Sequence, residues 1–216
     1  MAELIGIVFM VEALLLLSIS FVVVEVNGLQ ITIAGGTGKL GKLVIPKLKN
    51  HDVTVLSRNS FLAKAPNQVT ETFGWLGERF LRTNPHVTIR DWDGGDLLDI
   101  VGQDWCGWQE DALQNADLVI HLVGGYTNQR ELATDRLVRE SLRINPSCVH
   151  VTVNPIENEI SRLSPGMASL KLKRINDCEN MVKNNCKNHR CLRLEAFRDE
   201  EACKQIVETI RSLNKE

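Results

Sequence analysis

Residues 30–58 place three glycines, Gly35, Gly38 and Gly41, between an apolar run ending at Ala34 and a helix-forming stretch. A second apolar run follows and ends at Ser57-Arg58. This spacing suits a dinucleotide phosphate site. Gly35 permits a tight turn, Gly38 lets backbone approach a pyrophosphate, and Gly41 lets the helix pack close to its strand, while the first helical N–H groups point at the anion. Gly36, Thr37, Lys39 and Leu40 complete the same predicted cofactor loop. After the second strand an acidic residue would bind the ribose 2′-hydroxyl of NAD, whereas the guanidinium of Arg58 suits the 2′-phosphate of NADP. NADP is therefore the expected cofactor, ahead of NAD.

A triphosphate loop is the competing chemistry for these glycines. Gly36 through Lys42 meets its spacing as far as the lysine, but Leu43 stands where a hydroxyl must hold magnesium. No later apolar run ends in an obvious aspartate for that metal, since Ala116–Val123 leads into Gly124-Gly125. A plain turn also uses glycine, but seldom at this spacing between two strand-like runs.

The elements that must position this loop alternate in type along the chain. Strands are expected at Gln30–Ala34, Asp52–Leu56, His86–Arg90, Ala116–Val123, Cys148–Val153 and Cys191–Ala196. Between them, Phe61–Thr83 is mixed and amphipathic, and helices are expected near Gln129–Leu142, Leu170–Asn184 and Glu200–Leu213. The run Leu118–Val123 is nearly continuous apolar sequence, as buried parallel strands require. The pattern predicts an α/β fold, a Rossmann-like doubly wound parallel sheet in a single domain. In such a sheet Gly124 would lie close to the cofactor, and the turn from Asp91 to Asp96 would lie near the adenine. That turn departs from a calcium loop in its glycine position and closing glutamate, so a solvated turn is expected.

The chain has 216 residues, 44% of them hydrophobic, enough for one sizeable core. Its formal net charge of -2 and dispersed Lys and Arg offer no basic face for nucleic acid, so small molecules or proteins are the expected partners. Six irregularly spaced cysteines read as reduced thiols rather than a disulfide framework. Cys178, Cys186, His189 and Cys191 have zinc-ligand chemistry, but a mid-helix Cys178 and a strand Cys191 converge poorly, and no metal is expected. Leu4–Val24 is almost wholly apolar apart from Glu12, yet no Lys or Arg precedes Lys39. Two readings of residues 1–28 stand side by side: a membrane anchor or signal segment, and an extra hydrophobic helix or a misassigned start codon. The first makes the protein membrane-associated and the second leaves it cytoplasmic; the folded domain is expected over residues 29–216.

Ile-Ala-Gly-Gly-Thr-Gly-Lys-Leu-Gly, Val-Leu-Ser-Arg, Ala-Asp-Leu-Val-Ile-His-Leu-Val-Gly-Gly and Leu-Arg-Leu together resemble the atypical group of the short-chain dehydrogenase/reductase superfamily, in its NAD(P)-binding epimerase/dehydratase branch. The resemblance spans about residues 30–196 and is specific in the first half. It implies that Gly35, Gly38 and Gly41 take the pyrophosphate, Arg58 the 2′-phosphate, and that Gly124 borders the cofactor. Active members carry a Tyr-x-x-x-Lys pair after the fifth strand. Here Lys171 matches the lysine, but Met167 stands at the tyrosine position, and a thioether exchanges no proton. Thr152 is the nearest match to the family's hydroxyl, and the extended members' carboxyl-terminal substrate domain is missing.

Each catalytic candidate therefore has a plainer role beside its chemical one. Tyr126, the single tyrosine, is either a substitute proton donor or an aromatic packed over its loop; Lys171 is either that lysine or part of a solvated helix face; Thr152 is either the hydroxyl or a strand residue bonded to backbone. The expected function is NADP binding with weak or no catalysis, the alternative being an NADP-dependent oxidoreductase or epimerase-like enzyme with a non-standard proton donor and a small-molecule substrate. If Leu4–Val24 is an anchor, full-length protein should pellet with membranes and resist carbonate extraction, whereas a fragment starting at Leu29 should stay in the supernatant. Full-length protein found in the soluble fraction without detergent would remove the anchor.

Overall fold

Side-chain alternation along the first strand sets the layering. In Gln30–Ala34 (β1), Ile31 and Ile33 point to one face and Thr32 and Ala34 to the other, and all four are buried. Both faces must therefore be covered. The computed structural model describes residues 28–70, 74–94, 107–124, 128–163, 165–195 and 199–214. Asp52–Ser57 (β2), Val87–Asp91 (β3), Leu118–His121 (β4), Val149–Pro155 (β5) and His189–Leu194 (β6) join β1 in one six-stranded sheet of order β3-β2-β1-β4-β5-β6. Every pairing is parallel. The central strands are the driest and the edge strands β3 and β6 the wettest, as a sheet covered on both faces demands. This is a Rossmann-like α/β fold.

On the Ile31 face lie Lys39–Val44 (α1) with its short 3-10 extension Ile45–Lys47, Ser60–Lys64 (α2), Glu78–Thr83 (α3) and Glu200–Leu213 (α8). Helix α8 buries Ala202, Cys203, Ile206, Val207 and Ile210, a stripe at helical spacing, and Asp199 caps it by accepting from the N–H groups of Glu201 and Ala202. On the other face Trp108–Leu113 (α4) and Asn128–Ile144 (α5) cover Ala34, Leu56 and Val119. Ala168–Asn185 (α7) packs on α5 through Val182 and Val138, and Glu157–Leu163 (α6) precedes it.

Several boundaries differ from the sequence reading. The expected amphipathic stretch Phe61–Thr83 contains two short helices, α2 and α3, with Leu76, Phe80 and Leu81 packed on the core but Phe61 exposed. Strand β6 begins two residues earlier than expected, at His189, and ends at Leu194. Helices α4 and α6 had no clear sequence signal because each is one or two turns long. The Leu4–Val24 stretch lies outside the described residues, and among those described no helix is long and apolar enough to cross a membrane.

The α5 face of the sheet carries an unusual polar stripe. Val151 and Val153 of β5 join the opposite core, so His150, Thr152 and Asn154 point beneath α5 and α7. His121 Nε2 lies 3.0 Å from His150 Nδ1, and His150 Nε2 lies 3.4 Å from the Cys148 thiol. Burial pushes both imidazole pKa values down, His121 well below its ordinary value with His150 and Arg130 adding repulsion, and His150 to about 4 with His189 adding to the effect. The folded protein thus holds a neutral pair that the unfolded chain would protonate below about pH 6.5. Because the unfolded state binds more protons between that value and the folded pKa, stability is lost as pH falls, by about 3 kcal/mol for His150 alone. Urea midpoints should therefore drop between pH 7 and pH 4.5, and the drop should shrink in His150→Gln. Midpoints that stay level over this range would show that burial does not depress the pair.

Candidate functional site

Neighbouring strands β1 and β4 send their following segments to opposite faces of the sheet, α1 to one and α5 to the other. A crevice must open where these connections diverge. Here it is a cleft of about 590 Å³ lined by Gly35, Thr37, Gly38, Lys39, Leu40 and Gly41 from the loop and α1, by Leu56, Ser57 and Arg58 after β2, and by Leu122, Val123 and Gly124 after β4. Gly74, Trp92, Gly94, Gln129 and Ala133 complete the wall.

The glycines differ in what requires them. Gly35 has φ +83, and a Cβ there would stand 2.5 Å from the Leu122 carbonyl carbon, so the exits of β1 and β4 touch backbone to backbone. A Cβ on Gly41 would fall 2.0 Å from the Gly36 carbonyl oxygen, so the close approach is of the helix to the glycine loop beyond β1 rather than to the strand itself. Gly36 does not line the cleft but sits against Ile33 and Val55, supporting the loop from below. Gly38 has an ordinary extended backbone, φ −78, and a Cβ there would meet only the Gly35 carbonyl oxygen, at 3.3 Å. The fold therefore constrains Gly38 far less than Gly35 or Gly41, and its lack of a side chain chiefly shapes the cleft wall.

Arg58 leaves the end of β2 and is exposed in the cleft. Its aliphatic stem rests on Gly94, where a Cβ would come within 2.8 Å of Arg58 Cδ. Gly94 is held in turn: it has φ +67 and its carbonyl accepts from Gln129 Nε2. Of the expected solvated turn Asp91–Asp96, Gly95 and Asp96 lie outside the described residues, Asp91 is exposed as expected, and Asp93 departs from the expectation. Asp91 accepts from the Ser60 N–H and hydroxyl at the start of α2, and buried Asp93 pairs with Arg136 at 3.2 Å, which also binds Glu140 at 3.0 Å. A carboxylate this deeply buried needs its cation, and losing Arg136 would cost about 3–5 kcal/mol. Trp92 is buried edge-on against Trp108, centroids 5.5 Å apart.

Lys42, the residue that would be the triphosphate-loop lysine, does not line the cleft. Its ammonium lies 4.6 Å over the Trp75 ring, and burial lowers its pKa. Trp75 is fixed by donating to the Ala65 carbonyl at 2.8 Å, while neighbouring Gly74 packs directly on Thr37.

The catalytic candidates are not brought together. Strand β5 continues to Pro155, so Thr152 is mid-strand, buried, and in register with His121 and Cys191; its hydroxyl has no hydrogen-bond partner among the described residues, contrary to the expected backbone bond. Lys171 lies on α7, partly buried, and is not part of the cleft wall. Met167 is exposed in the turn before α7. Tyr126 lies outside the described residues. Among the described residues no three His, Cys, Asp or Glu side chains gather as a metal ion requires.

Sequence reasoning passed over Arg130, Asn154, Glu179 and Arg193. Arg130, buried on α5, donates to the Val123 carbonyl and to the Asn154 side chain; Asn154 donates to Glu179 at 2.7 Å, and Glu179 is held by Arg193 Nε at 2.7 Å. The available signal was Arg130 itself, a cation at a position that repeats with Ala133, Leu137 and Ser141 on the buried side of the helix.

Two solved structures share this architecture. A protein from Thermus thermophilus, provisionally named a short-chain oxidoreductase, matches with TM-score 0.56 and 16% identity over 83% of this chain and 95% of its own. The two chains share one fold. A metagenomic short-chain oxidoreductase in complex with NADP matches with TM-score 0.53 and 10% identity over 89% of this chain and 93% of its own. At these identities the likeness is one of fold. No family model and no curated protein matches the sequence.

The glycine geometry separates folding from binding. Gly38→Val should lose only about 1 kcal/mol, from a poorer helix cap and a tight contact with the Gly35 carbonyl, yet lose nucleotide binding because its side chain enters the cleft. Gly41→Val should lose at least about 2 kcal/mol by driving a side chain into backbone. Thermal melts and ligand titration of the two variants check this; a Gly38→Val protein that binds normally would remove Gly38 from the phosphate wall.

Proposed function

We propose that this chain is an NADP-binding Rossmann protein of the atypical short-chain dehydrogenase type, with weak or no turnover. The observation that carries the reading is the convergence of the glycine loop and Arg58 on one cleft at the β1–β4 divergence. A side-chain-free stretch of wall at Gly38 leaves room for a pyrophosphate, and Arg58, braced on Gly94, offers a cation where a ribose 2′-phosphate would lie. No carboxylate lines the described wall to favour an unmodified ribose instead. Trp92 and Ala133 supply apolar surface beside these polar groups.

The same geometry favours binding over turnover. A bound nicotinamide would supply hydride chemistry, and that chemistry needs a proton donor within hydrogen-bond reach of the substrate. Thr152 is buried in the sheet, Lys171 is off the cleft wall, and Met167 has no exchangeable proton.

Calorimetric titration of the purified protein should give tighter binding of NADPH than of NADH. Arg58→Asp should weaken NADPH by about tenfold or more and narrow or reverse the preference, since a charge-assisted contact becomes repulsion. Equal affinities in the wild type would end the case for NADP. Oxidation of NADPH across aldehydes, ketones and nucleotide sugars should be negligible. Robust turnover that disappears in Tyr126→Phe or Lys171→Ala would instead establish the enzyme with a different proton donor.

A further inference from the structure

A dinucleotide sheet consists of two mononucleotide-binding halves, one at the carboxyl ends of β1–β3 and the other at those of β4–β6. In this protein the two halves are finished differently. The first is open: the glycine loop, Arg58 and Gly94 all face the cleft. In the second, the β4 exit at Leu122–Gly124 and α5 border the cleft, while among the described residues the ends of β5 and β6 are tied up by their own side chains. Arg130 reaches from α5 between the exits of β4 and β5, donating to the Val123 carbonyl, to the Asn154 side chain, and to the Val153 carbonyl at 3.4 Å. Asn154 accepts from this cation through its carbonyl and donates through its amide to Glu179, so one carboxamide bridges a guanidinium and a carboxylate.

From the far side Arg193 of β6 binds both oxygens of Glu179, at 2.7 and 3.0 Å, and its guanidinium also reaches the Pro155 carbonyl at 3.4 Å. One chain of charge-assisted bonds thus ties β4, β5 and β6 together at their carboxyl ends. Arg130 is 3% exposed, Asn154 0% and Glu179 5%, so a ligand cannot reach these groups without breaking buried ionic contacts. Among the described residues none from β5 or β6 lines the cleft.

We propose that the cleft is a receptor for one nucleotide, an adenosine carrying phosphate on both its 2′ and 5′ oxygens, and that the described ends of β4–β6 give the nicotinamide half of NADP no seat of its own. This rests on the NADP reading and narrows it: recognition resides in the adenosine bisphosphate. The second half of the sheet serves as a rigid wall.

Titration of the full-length chain with NADPH, adenosine 2′,5′-bisphosphate and nicotinamide mononucleotide tests this. The bisphosphate should bind within about fivefold of NADPH, and the mononucleotide should neither bind nor displace it. NADPH binding more than about fivefold tighter than the bisphosphate, or measurable binding of the mononucleotide, would overturn the inference and leave the NADP reading standing. Failure of both NADPH and the bisphosphate to bind would overturn the NADP reading itself.

Discussion

The backbone contact between the end of β1 and the end of β4 governs this molecule. Gly35, at φ +83, lies so close to Leu122 and Val123 that no side chain fits between them. The two central strands can therefore leave the sheet side by side and turn to opposite faces, which opens the cleft. The second close approach, Gly41 on the Gly36 carbonyl, sets the start of α1 against the same loop. With both ends of the loop fixed by contacts that tolerate no Cβ, its middle, Thr37 to Lys39, has little freedom to be anything but a wall of the cleft.

Buried charge does the rest of the positioning. Arg136 of α5, itself paired with Glu140 one turn on, joins that helix to the loop after β3 through Asp93, and Arg130 joins β4 to β5 and onward to α7 and β6. Such networks add little net stability over an apolar core, but removing one member leaves an uncompensated charge and costs several kcal/mol. Their effect is geometric: strand exits that would otherwise be loop-like become parts of one rigid rim. Placing these groups on the α5 side while valines and isoleucines fill the other side gives the sheet one apolar face and one with a polar stripe, and the neutral His121–His150 pair belongs to that stripe.

Much of this was legible in the residues. Apolar runs identified the central strands because strands buried on both faces need apolar side chains at nearly every position, and the glycine spacing marked the cleft because few other arrangements require three side-chain-free positions there. The short helices α4 and α6 were not legible, since one or two turns give too little periodicity. Asp93 read as solvated because charged residues beside glycine usually are; its partner Arg136 is 43 positions away and meets it only after folding. Thr152 read as a site hydroxyl because the strand was expected to stop at Val153, whereas the two further residues to Pro155 leave Thr152 inside the sheet.

The sequence by itself determined the order of the six strands and the longer helices, the glycine loop and the cation after β2, because these depend on local backbone freedom and on patterns within a few residues. The tertiary structure decided which face each strand residue takes and which charges are buried together. It also decided that Lys42 lies on Trp75 instead of in the cleft, and that Arg130 and its partners tie the ends of β4–β6 together. Those outcomes rest on contacts between residues far apart in the chain, where burial and pairing, rather than local propensity, set the energy.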